Sequence, residues 1–375
     1  SMLVRYSVGA ADPQQMSFEN NAYGRSKLIT RFKSLKAKHR ADRIILVYEA
    51  SGLGHGLSDQ LHAEGIDCYV LSPTHLPKTP KSAKLKTDAR DAQMLLEQLR
   101  GFVLAGNQLP TVWTPPPKLR DDRELVRARV DMADELTRIK LKISTLFKAR
   151  ELQFVSPTKG KWTKAALLQM RTKLIPQLEM TVGIKLKLLL DRFDLCRQQL
   201  GELDAALKQL SREPRYKHAC AQLQRLPGVG LLVAMSFLTE MGDLTRFDNR
   251  RQVAAYLGLC PSSNESGEKN DRKGRITRQG PARLRKVLCQ AAWVSVVRDQ
   301  ACAAEYRRLR QNQKNRSKKA LVAMMRKLSI KMWHEALRCG VHSDLIGRDR
   351  PKPEDLTQAR QRDNVVTIAS PRPSP

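Results

Sequence analysis

The sequence is short of negative charge. Against 68 Lys and Arg it has only 37 Asp and Glu, which leaves a formal net charge of +31 at pH 7. The balance is uneven: residues 1–110 have 15 basic and 10 acidic groups, residues 111–222 have 23 and 13, and residues 223–350 have 26 and 11. A positive field that grows along the chain in this way attracts polyanions. The composition therefore predicts a nucleic-acid partner.

Two other patterns are missing. The chain has no run of about 20 apolar residues and opens with no signal peptide, so a membrane is a poor competing partner and we expect a cytoplasmic protein. The seven cysteines are scattered, odd in number and without the spacing of metal ligands. Such cysteines are typical of small buried apolar residues in a reducing compartment, and a zinc site is not expected.

Periodicity divides the chain into three regions and a tail. Residues 1–110 alternate strand and helix signals, among them RIILVYEA, SDQLHAEG and DCYVLSP, which predict an α/β domain with parallel pairing. After the proline-rich break TVWTPPPK, residues 111–222 are helical. Residues 223–345 open on LQRLPGVGLLVAMSFLTEMG, which is typical of a helix-hairpin-helix in a mostly helical domain. Residues 346–375 have the composition of a disordered tail.

Two apolar seams run through the helical region. The later seam has heptad spacing and comprises Leu189, Phe193, Cys196, Leu200, Leu203, Leu207 and Leu210. The earlier, less regular seam comprises Val126, Val130, Ala133, Leu136, Ile143 and Leu146. Two interpretations stay open. Either the seams pair within the chain as an antiparallel hairpin, or one of these helices joins two chains in a dimer.

Three carboxylates stand out against the basic background. Glu49 ends the strand RIILVYE, and Asp88 and Asp91 open a helix with a spacing that puts both on one face. Carboxylates that converge from a strand end and a helix start can hold Mg²⁺, which prefers oxygen ligands. The ordinary alternative is that the aspartates suit the helix dipole and pair with neighbouring lysines or Arg90.

A second candidate site lies in the polar, basic loop of FDNRRQVAAYLGLCPSSNESGEKNDRKGRITRQGPARLRKVLCQAAW. Ser266 and Gly267 occupy its most polar part, and a serine there could act as a nucleophile if it were activated and surrounded by cations. A Ser-Gly pair in a loop is otherwise ordinarily a turn. Residues 268–286 contain eight Lys or Arg, enough to contact a nucleic-acid backbone. Residues 318–337 add a basic amphipathic helix.

The carboxylate region resembles a known family. EASG at 49–52, LSPTHLPK at 71–78 and KTDARDA at 86–92 are similar to the RNase H-like (RuvC-like) domain of insertion-sequence 110 family transposases, the DEDD recombinases guided by a bridge RNA. The resemblance implies that Glu49, Asp88 and Asp91 are catalytic ligands of Mg²⁺. Family members begin with a G-[IL]-D-[VIT] strand that has the first carboxylate. Here Ser1-Met2 leads directly into LVRYSVGAADP, so that strand and its Asp are expected to be missing.

The serine loop is similar to the C-terminal transposase domain of the same family. The matching pieces are A-x-Y-x-G-L-x-P, S-G and G-R-I-T-R-Q-G-x-x-x-L-R, and the resemblance spans roughly residues 3–342. In the family the serine of S-G is the nucleophile that joins covalently to DNA. Carried over, that residue is Ser266, with Ser262 and Ser263 as nearby alternatives. The expected nucleic-acid-binding residues are Lys269, Arg272, Lys273, Arg275, Arg278, Arg283, Arg285, Lys318 and Lys319.

The resemblance implies a transposase that cuts and exchanges DNA strands under RNA guidance. Its partners would be donor and target DNA, a bridge RNA and further copies of itself, as dimers to tetramers at the bacterial nucleoid. The implied fold is α/β plus all-α: an RNase H-like domain, a coiled-coil helical arm and a serine-bearing helical domain. Two alternatives stay open. One is a RuvC-like hydrolytic nuclease without a covalent intermediate, and the other is a non-catalytic nucleic-acid-binding protein, which the missing first Asp favours.

Overall fold

The computed structural model describes residues 2–5, 14–19, 21–51, 54–77, 87–263, 273–311, 313–348 and 365–370. It divides into two units, Ser1–Thr114 with Gly347–Pro375 and, separately, Pro115–Ile346. The strands are β1 (Met2–Arg5), β2 (Gln14–Met16), β3 (Arg43–Glu49), β4 (Asp67–Leu71), β5 (Pro261–Ser263), β6 (Lys273–Ile276) and β7 (Val365–Ser370). The α-helices are α1 (Ala22–Lys38), α2 (Gly56–Ala63), α3 (Asp88–Ala105), α4 (Pro117–Ala149), α5 (Lys164–Gln169), α6 (Met180–Leu210), α7 (Pro214–Leu223), α8 (Leu231–Met241), α9 (Arg250–Tyr256), α10 (Ala282–Arg298), α11 (Gln300–Arg310) and α12 (Ser317–Arg338). In the described part of the chain, none of these helices is both long and apolar enough to cross a membrane.

The first unit is built on a five-stranded mixed sheet in the order β2-β1-β7-β3-β4. β3 and β4 run parallel, with Glu49 opposite Leu71, which confirms the parallel pairing predicted from the strand–helix alternation. β7 lies between β1 and β3, antiparallel to the first and parallel to the second. β1 and β2 form an antiparallel pair at one edge. Together with the helical second unit, this gives the α/β plus helical composition that was expected.

The residues of β3 alternate between two apolar layers, because successive side chains of a strand point to opposite faces. Ile44, Leu46 and Tyr48 pack with buried residues of α1 and α2 on one face. Ile45 and Val47 pack with α3 on the other face. Since it is covered on both faces, β3 is buried along nearly its whole length, as is usual for a strand inside a parallel sheet.

The C-terminal tail differs from the prediction. We expected residues 346–375 to be disordered, but residues 365–370 form strand β7 and Arg348 is bonded into the first unit. The Arg348 guanidinium donates to Ser58 Oγ at 3.1 Å and to Asp59 Oδ1 at 2.8 Å. The sequence VVTIAS is rich in β-branched residues, which favour strands, and the polar, proline-containing sequence around it hides this signal when composition is averaged. The prediction of a disordered tail is therefore wrong for these residues.

The second unit begins with two long helices that pack against each other. α4 and α6 are antiparallel: Arg129 Nε of α4 donates to Asp204 Oδ1 of α6 at 2.7 Å, and Arg192 Nη2 of α6 donates to Glu135 Oε1 of α4 at 2.8 Å. The apolar residues between the helices form one buried cluster that includes Phe193 of the heptad seam. The intramolecular antiparallel hairpin is thereby confirmed, and pairing between two chains stays a prediction.

Buried polar contacts fix the start of α4 to the shorter helices. Asp122 accepts from the Arg215 guanidinium at 2.9 and 3.0 Å and from the Tyr216 hydroxyl at 2.7 Å. Burial, followed by the neighbouring Asp122 carboxylate, raises the pKa of Tyr216. One residue along, Arg123 Nε donates to the carbonyl of Thr239 in α8 at 2.6 Å. Each of these buried groups therefore has a hydrogen-bond partner, and losing one partner would leave the other buried and unpaired.

The Pro-Gly-Val-Gly turn joins α7 to α8, at the place where the sequence predicts a helix-hairpin-helix. Gly228 has a φ of +80°, and a Cβ there would lie 2.3 Å from the carbonyl oxygen of Ala291 in α10. Ser295 Oγ of α10 donates to the carbonyl of Pro227 at 2.5 Å. The turn is therefore packed against α10 at its first glycine, a close approach that only glycine permits.

Candidate active site and nucleic-acid interface

Glu49 is the last residue of β3 and lies at the carboxyl end of the parallel strands β3 and β4. Its side chain is buried, with 8% of the residue exposed. The hydrogen-bond ladder continues one residue further, because Ala50 N–H donates to the carbonyl of Leu71 at 2.9 Å. By alternation Glu49 shares the face of Ile45 and Val47, which is the face that α3 covers. The fold thus directs Glu49 to the side of the sheet that holds the predicted aspartates.

The two aspartates belong to the first turn of α3, which begins at Asp88. Thr87 caps this helix: its hydroxyl accepts from Arg90 N–H at 3.4 Å, and its carbonyl accepts from Asp91 N–H at 3.0 Å. The stripe of α3 that packs on the sheet comprises Ala92, Leu95, Leu96, Leu99, Phe102 and Val103. Positions 88 and 91 each lie four residues before a member of this stripe, so they extend it by one turn. The side chain of Asp88 lies outside the described part of the chain.

These carboxylates suit Mg²⁺ in kind, because the ion prefers hard oxygen ligands. Glu49 is buried at a strand end, and Asp91 is half-buried at a helix start on the same face of the sheet. Among the side chains that are described, no group of three His, Cys, Asp or Glu is close enough together to hold an ion. The side chains of Glu49 and Asp91 are among those described, and the side chain of Asp88 is not. The carboxylate oxygens of Glu49 and Asp91 fit a divalent cation, and Asp88 would be the third ligand.

The predicted serine loop is flanked in sequence by the two strands of an antiparallel ribbon. β5 and β6 pair with Ser263 opposite Lys273, which are described here by their backbones alone. Residues 264–272 connect the two strands and lie outside the described residues. Three predicted site residues fall in this connection: Ser266, Lys269 and Arg272. The ribbon therefore fixes both ends of the loop that contains Ser266.

Two glycines hold the base of the ribbon against the end of α9. Gly258 and Gly280 have φ values of +64° and +78°, in the region that favours glycine. A Cβ on Gly258 would lie 2.1 Å from the carbonyl oxygen of Gln279, and a Cβ on Gly280 would lie 1.9 Å from that of Tyr256. Both positions therefore exclude any side chain. The sequence analysis used both glycines only as matches to the family motif and did not predict this packing role. The signal available in the sequence was their presence in the two motifs G-L-x-P and R-Q-G.

Ser262, the first alternative nucleophile, is engaged within the ribbon. Its hydroxyl donates to the carbonyl of Arg275 on the facing strand at 3.1 Å. A Cβ on Gly274 would lie 2.3 Å from Ser262 Oγ, so the glycine makes room for this contact. The contact gives Ser262 a structural role in joining β5 to β6.

Six of the nine predicted nucleic-acid-binding cations have described side chains, and these six fall into two groups. Arg275, Arg278, Lys318 and Lys319 are exposed to solvent and their charged groups are accessible to a phosphate backbone. Arg278 has a φ of +56°, an uncommon conformation for a residue other than glycine, just before the Gly280 turn. The exposed group therefore has the accessibility that a nucleic-acid contact requires.

Arg283 and Arg285 form the second group and are bonded within the chain. Arg283 donates through Nε and Nη2 to the two carboxylate oxygens of Asp131 in α4, both at 2.7 Å. This pair lowers the pKa of Asp131 and raises that of Arg283. Arg285 Nη1 donates to the carbonyls of Gln279 at 2.8 Å and Gly280 at 3.0 Å, and burial lowers its pKa. Arg285 thus braces the base of the ribbon, a role that the sequence did not suggest.

Two family sequence models match this chain. One describes the DEDD transposases of the IS110 group and matches residues 11–149, which include Glu49, Asp88 and Asp91. The other describes the transposase IS116/IS110/IS902 family and matches residues 220–308, which include the whole ribbon and its loop. The two matches therefore cover both candidate sites.

Named relatives agree with these matches. The chain is 30% identical over 266 residues to the putative transposase y4qE of Sinorhizobium fredii, which is 70% of this chain and 60% of that protein. It is 30% identical over 329 residues to the putative transposase y4rJ of the same organism, 82% of this chain and 81% of that protein. The chain belongs to the IS116/IS110/IS902 family of transposases. This transposase is also 25% identical to the pilin gene-inverting protein of Moraxella bovis over 84% of the chain and 86% of that protein.

Family membership indicates that this transposase belongs to a class that uses a metal ion. The DEDD class is typically metal-dependent, and the range matched by its sequence model contains Glu49, Asp88 and Asp91. The transposase spans less than two thirds of y4qE and about four fifths of y4rJ.

Proposed function

We propose that this transposase cleaves and exchanges DNA strands under the guidance of an RNA, with Ser266 as nucleophile and Mg²⁺ held by Glu49, Asp88 and Asp91. The observation that supports it most is the shared face: Glu49 ends β3 on the side covered by α3, and Asp91 extends the stripe by which α3 packs there. An RNase H-like domain, whose strand-end and helix-start carboxylates share a metal ion, accounts for this placement.

The proposed reaction is a transesterification. The Ser266 oxygen loses its proton to a base and attacks a backbone phosphorus atom, and the bond from that phosphorus to one deoxyribose oxygen breaks. The released oxygen takes up a proton and leaves as a hydroxyl. Because the phosphodiester is replaced by a phosphoserine ester, a hydroxyl of a new strand can reverse the step without a high-energy cofactor. The name of the Moraxella relative supports this chemistry, since inverting a gene requires DNA to be both cut and rejoined.

The carboxylates act through the ion that they hold. Bound Mg²⁺ would polarise the attacked phosphate and stabilise the leaving oxygen. The chain's own part is to keep the ligands in place: the backbone at Glu49 is paired with Leu71 in the sheet, and the backbone of Asp91 is tied to the Thr87 cap. Ligands on a strand end and a capped helix start are held more rigidly than ligands on a loop.

The charge of the chain supports a role in gripping DNA and RNA backbones. If the RNA identifies the DNA by base pairing, the protein needs phosphate contacts and few contacts to bases. Arg275, Arg278, Lys318 and Lys319 supply exposed cations for this purpose. Neutralising several phosphates predicts that the affinity for duplex DNA falls with salt, with a log–log slope of about −4 or steeper. Fluorescence anisotropy at several salt concentrations measures this slope.

We further propose dimers to tetramers as the working assembly.

The decisive experiment incubates labelled cognate DNA, guide RNA and Mg²⁺ with the protein and resolves the products on a denaturing gel. We expect a protease-sensitive protein–DNA adduct with the native sequence. Ser266→Ala removes the nucleophile with little change in volume or charge, so the adduct disappears while RNA binding persists. Asp91→Ala also abolishes the adduct if the carboxylates serve the same reaction.

Ser262→Ala is the matched control, because it removes the same hydroxyl four residues away, where it binds the Arg275 carbonyl. We expect this variant to retain the adduct. Loss of the adduct in Ser262→Ala and its retention in Ser266→Ala would assign the nucleophile to Ser262. Free nicked DNA in equal yield from native protein and Ser266→Ala would establish a hydrolytic nuclease.

One observation favours a second candidate, a nucleic-acid-binding protein without cleavage activity. β7, the central strand of the sheet, has the sequence VVTIAS and contributes no carboxylate beside Glu49. With fewer acidic ligands, a metal ion would be bound more weakly. Absence of both adduct and nick, with RNA and DNA binding intact, would support this candidate.

A further inference from the structure

A cavity of about 270 Å³ lies at the connecting end of the α4–α6 hairpin. It is lined by the last turns of α4 and by the segment that links the two helices. Three aromatic side chains border it: Phe147 of α4, and Phe154 and Trp162 of the linking segment. Drug-sized ligands occupy cavities of about 300–1,000 Å³. The space therefore suits a single planar ring system better than a large cofactor.

Contacts between rings fix the aromatic walls. Phe147 and Phe154 meet edge to face, with ring centroids 6.0 Å apart, and Trp162 stacks on Phe193 of α6 at 5.6 Å. The linking segment turns back directly after α4, because Leu152 N–H donates to the carbonyl of Phe147 at 2.9 Å. A ligand that enters this cavity meets walls that are already ordered, so little conformational entropy is lost on binding.

A π-helical turn also borders the cavity. It spans Met170–Leu174, and its first residue, Met170, is 1% exposed and lines the cavity. Arg171 ties the turn to α6 by donating to Asp191 Oδ1 at 2.5 Å and to Asp194 Oδ2 at 2.7 Å. Since π-helical turns are rare and occur frequently at functional sites, this turn independently marks the end of the hairpin as a candidate ligand site.

The surroundings of the cavity are strongly basic. Residues 140–173 have nine Lys or Arg and one acidic residue, Glu151. Lys148 and Lys161 line the cavity, and both residues are exposed. Within the described residues, neither lysine forms an ion pair. The cavity thus combines an aromatic interior with available cations at its rim, which favours a ligand that has both a ring and an anionic group.

We propose that the cavity binds an unpaired base of a single nucleic-acid strand. The base stacks on the aromatic walls and the flanking phosphates contact Lys148 and Lys161, the combination of contacts that holds single strands in other proteins. Glu151 also lines the cavity, where a carboxylate accepts hydrogen bonds from the amino group of a base. An apolar side chain of a protein partner would use the rings but would gain nothing from the lysines. The inference rests on the nucleic-acid binding in the proposed function and not on its cleavage chemistry.

Photocrosslinking to the full chain locates the bound base. A short unstructured strand that contains 5-iodouracil, made once as RNA and once as DNA, is irradiated in complex with the protein, and mass spectrometry identifies the crosslinked residues. We expect crosslinks at Phe154 or Trp162, because photoexcited 5-iodouracil reacts with aromatic side chains that it touches. Crosslinks at these residues from RNA, from DNA or from both identify the strands that supply the base. Crosslinks confined to residues outside 140–173, or none at all, would overturn the proposal.

A matched pair of substitutions tests whether the space itself is needed. Ser144 lines the cavity, and Thr145, the next residue of α4, is exposed and outside the lining. Ser144→Leu fills part of the cavity and keeps the aromatic walls and the lysines, whereas Thr145→Leu adds the same side chain at the surface. We expect Ser144→Leu to weaken binding of the single strand by about tenfold, the effect of losing one stacked base, and Thr145→Leu to change it little. Equal affinities in these two variants would overturn the proposal.

Duplex DNA separates this effect from a general loss of folding. Because the bases of a duplex are already paired and stacked, Ser144→Leu should bind duplex DNA as the native chain does. If duplex binding also falls, a second pair of variants decides. Lys161→Glu and Lys164→Glu make the same charge change at two exposed residues, of which Lys161 alone lines the cavity. We expect the crosslink yield at the cavity to fall further in Lys161→Glu, and equal yields would overturn the proposal.

The same measurements distinguish failure of this inference from failure of the proposed function. A native chain that binds neither single strands nor duplex DNA would contradict both. If the native chain binds both and Ser144→Leu binds the single strand equally well, only the assignment of the cavity is overturned. Ser266→Ala should lose the protein–DNA adduct and keep the crosslink at the cavity. A native chain that forms this crosslink but no adduct would contradict the proposed cleavage and support the cavity as a site for a base.

Discussion

The two units of this transposase are put together in opposite ways. In the helical unit, α4 and α6 belong to one continuous stretch of sequence and pair as an antiparallel hairpin. In the sheet unit, β3 lies between β4, its neighbour in sequence, and β7, which comes from the other end of the chain. The candidate carboxylates lie on the unit assembled from distant segments, and the candidate serine lies on the continuous one.

The difference affects what holds each unit together. Pairing of distant segments closes a long loop, whose entropic cost must be met before the strand contacts form. In the sheet unit this entropic cost is offset by β7, whose backbone pairs with a strand on each side. The helical unit forms its contacts between helices of one continuous stretch of sequence, and adds buried ion pairs such as Asp122 with Arg215. We therefore expect the helical unit to be sensitive to single buried contacts and the sheet unit to the integrity of β7.

The largest effect on stability is expected at the buried ion pair of the helical unit. Asp122→Ala leaves buried Arg215 with only the weaker carboxylate contact, to Glu213 at 3.4 Å, which should cost about 3–5 kcal/mol in the free energy of unfolding. Asp204→Ala is the control, because Asp204 is half exposed and its pair with Arg129 is worth about 1 kcal/mol or less. Urea denaturation followed by circular dichroism measures both. Equal losses would mean that burial does not decide the strength of these pairs.

The next effect tests whether the buried apolar cluster between α4 and α6 holds the hairpin. Leu190 is fully buried in this cluster, and Leu188, two residues earlier, is 58% exposed. Leu190→Ala should cost about 2–5 kcal/mol, because it removes buried methyl groups and leaves a cavity. Leu188→Ala should change stability by about 0.5 kcal/mol or less. A comparable loss in Leu188→Ala, seen in the same urea titration, would indicate that a second chain covers that face.

A third, intermediate effect is expected where glycine geometry holds the serine ribbon. Gly258→Ala places a Cβ against the Gln279 carbonyl in a left-handed conformation, which should cost about 1–3 kcal/mol and reduce adduct formation by displacing the loop. Gly201→Ala makes the same change within α6, in open space, and should stabilise by about 0.5–1 kcal/mol because alanine is the better helix former. Thermal melts and the adduct gel measure both. If both variants lost stability, or both gained it, the proposed role of glycine geometry at position 258 would be contradicted.

The extent of sequence prediction follows the same division. The helices of the hairpin and the strands β3 and β4 could be predicted, because their signals lie within short windows of apolar spacing. The placement of β7 could not, since six β-branched and small residues give no information about which distant strand they join. The candidate site divides likewise. The position of Glu49 at a strand end was predictable, but the bond of Arg285 to the ribbon carbonyls depends on a tertiary approach that no spacing encodes.

The smallest effect concerns Arg283, which the sequence predicts to bind nucleic acid and which forms an ion pair within the chain. Arg283 is paired with Asp131, and both side chains are about half exposed. Asp131→Asn releases Arg283 to bind a phosphate, so the affinity for duplex DNA should rise and the log–log salt slope should steepen by about 0.9, the value for one added phosphate contact. Asp204→Asn changes the net charge equally and releases Arg129 instead, which lies outside the predicted interface. It should leave the slope unchanged.

The pH dependence of this pair gives an independent check. Hydrogen bonds from Arg283 hold the pKa of Asp131 below its ordinary value of 3.8. The stabilisation from a carboxylate with a lowered pKa is present above the unfolded value and is lost as the pH falls through the folded one. The pair is therefore intact at neutral pH, and its contribution of about 0.2–1 kcal/mol, small because the groups are exposed, is lost only in acid. At pH 7, the salt slope of DNA binding measured by fluorescence anisotropy should therefore be steeper for Asp131→Asn than for the native chain. Identical slopes for native, Asp131→Asn and Asp204→Asn proteins would show that Arg283 does not contact DNA and acts only to tie α10 to α4.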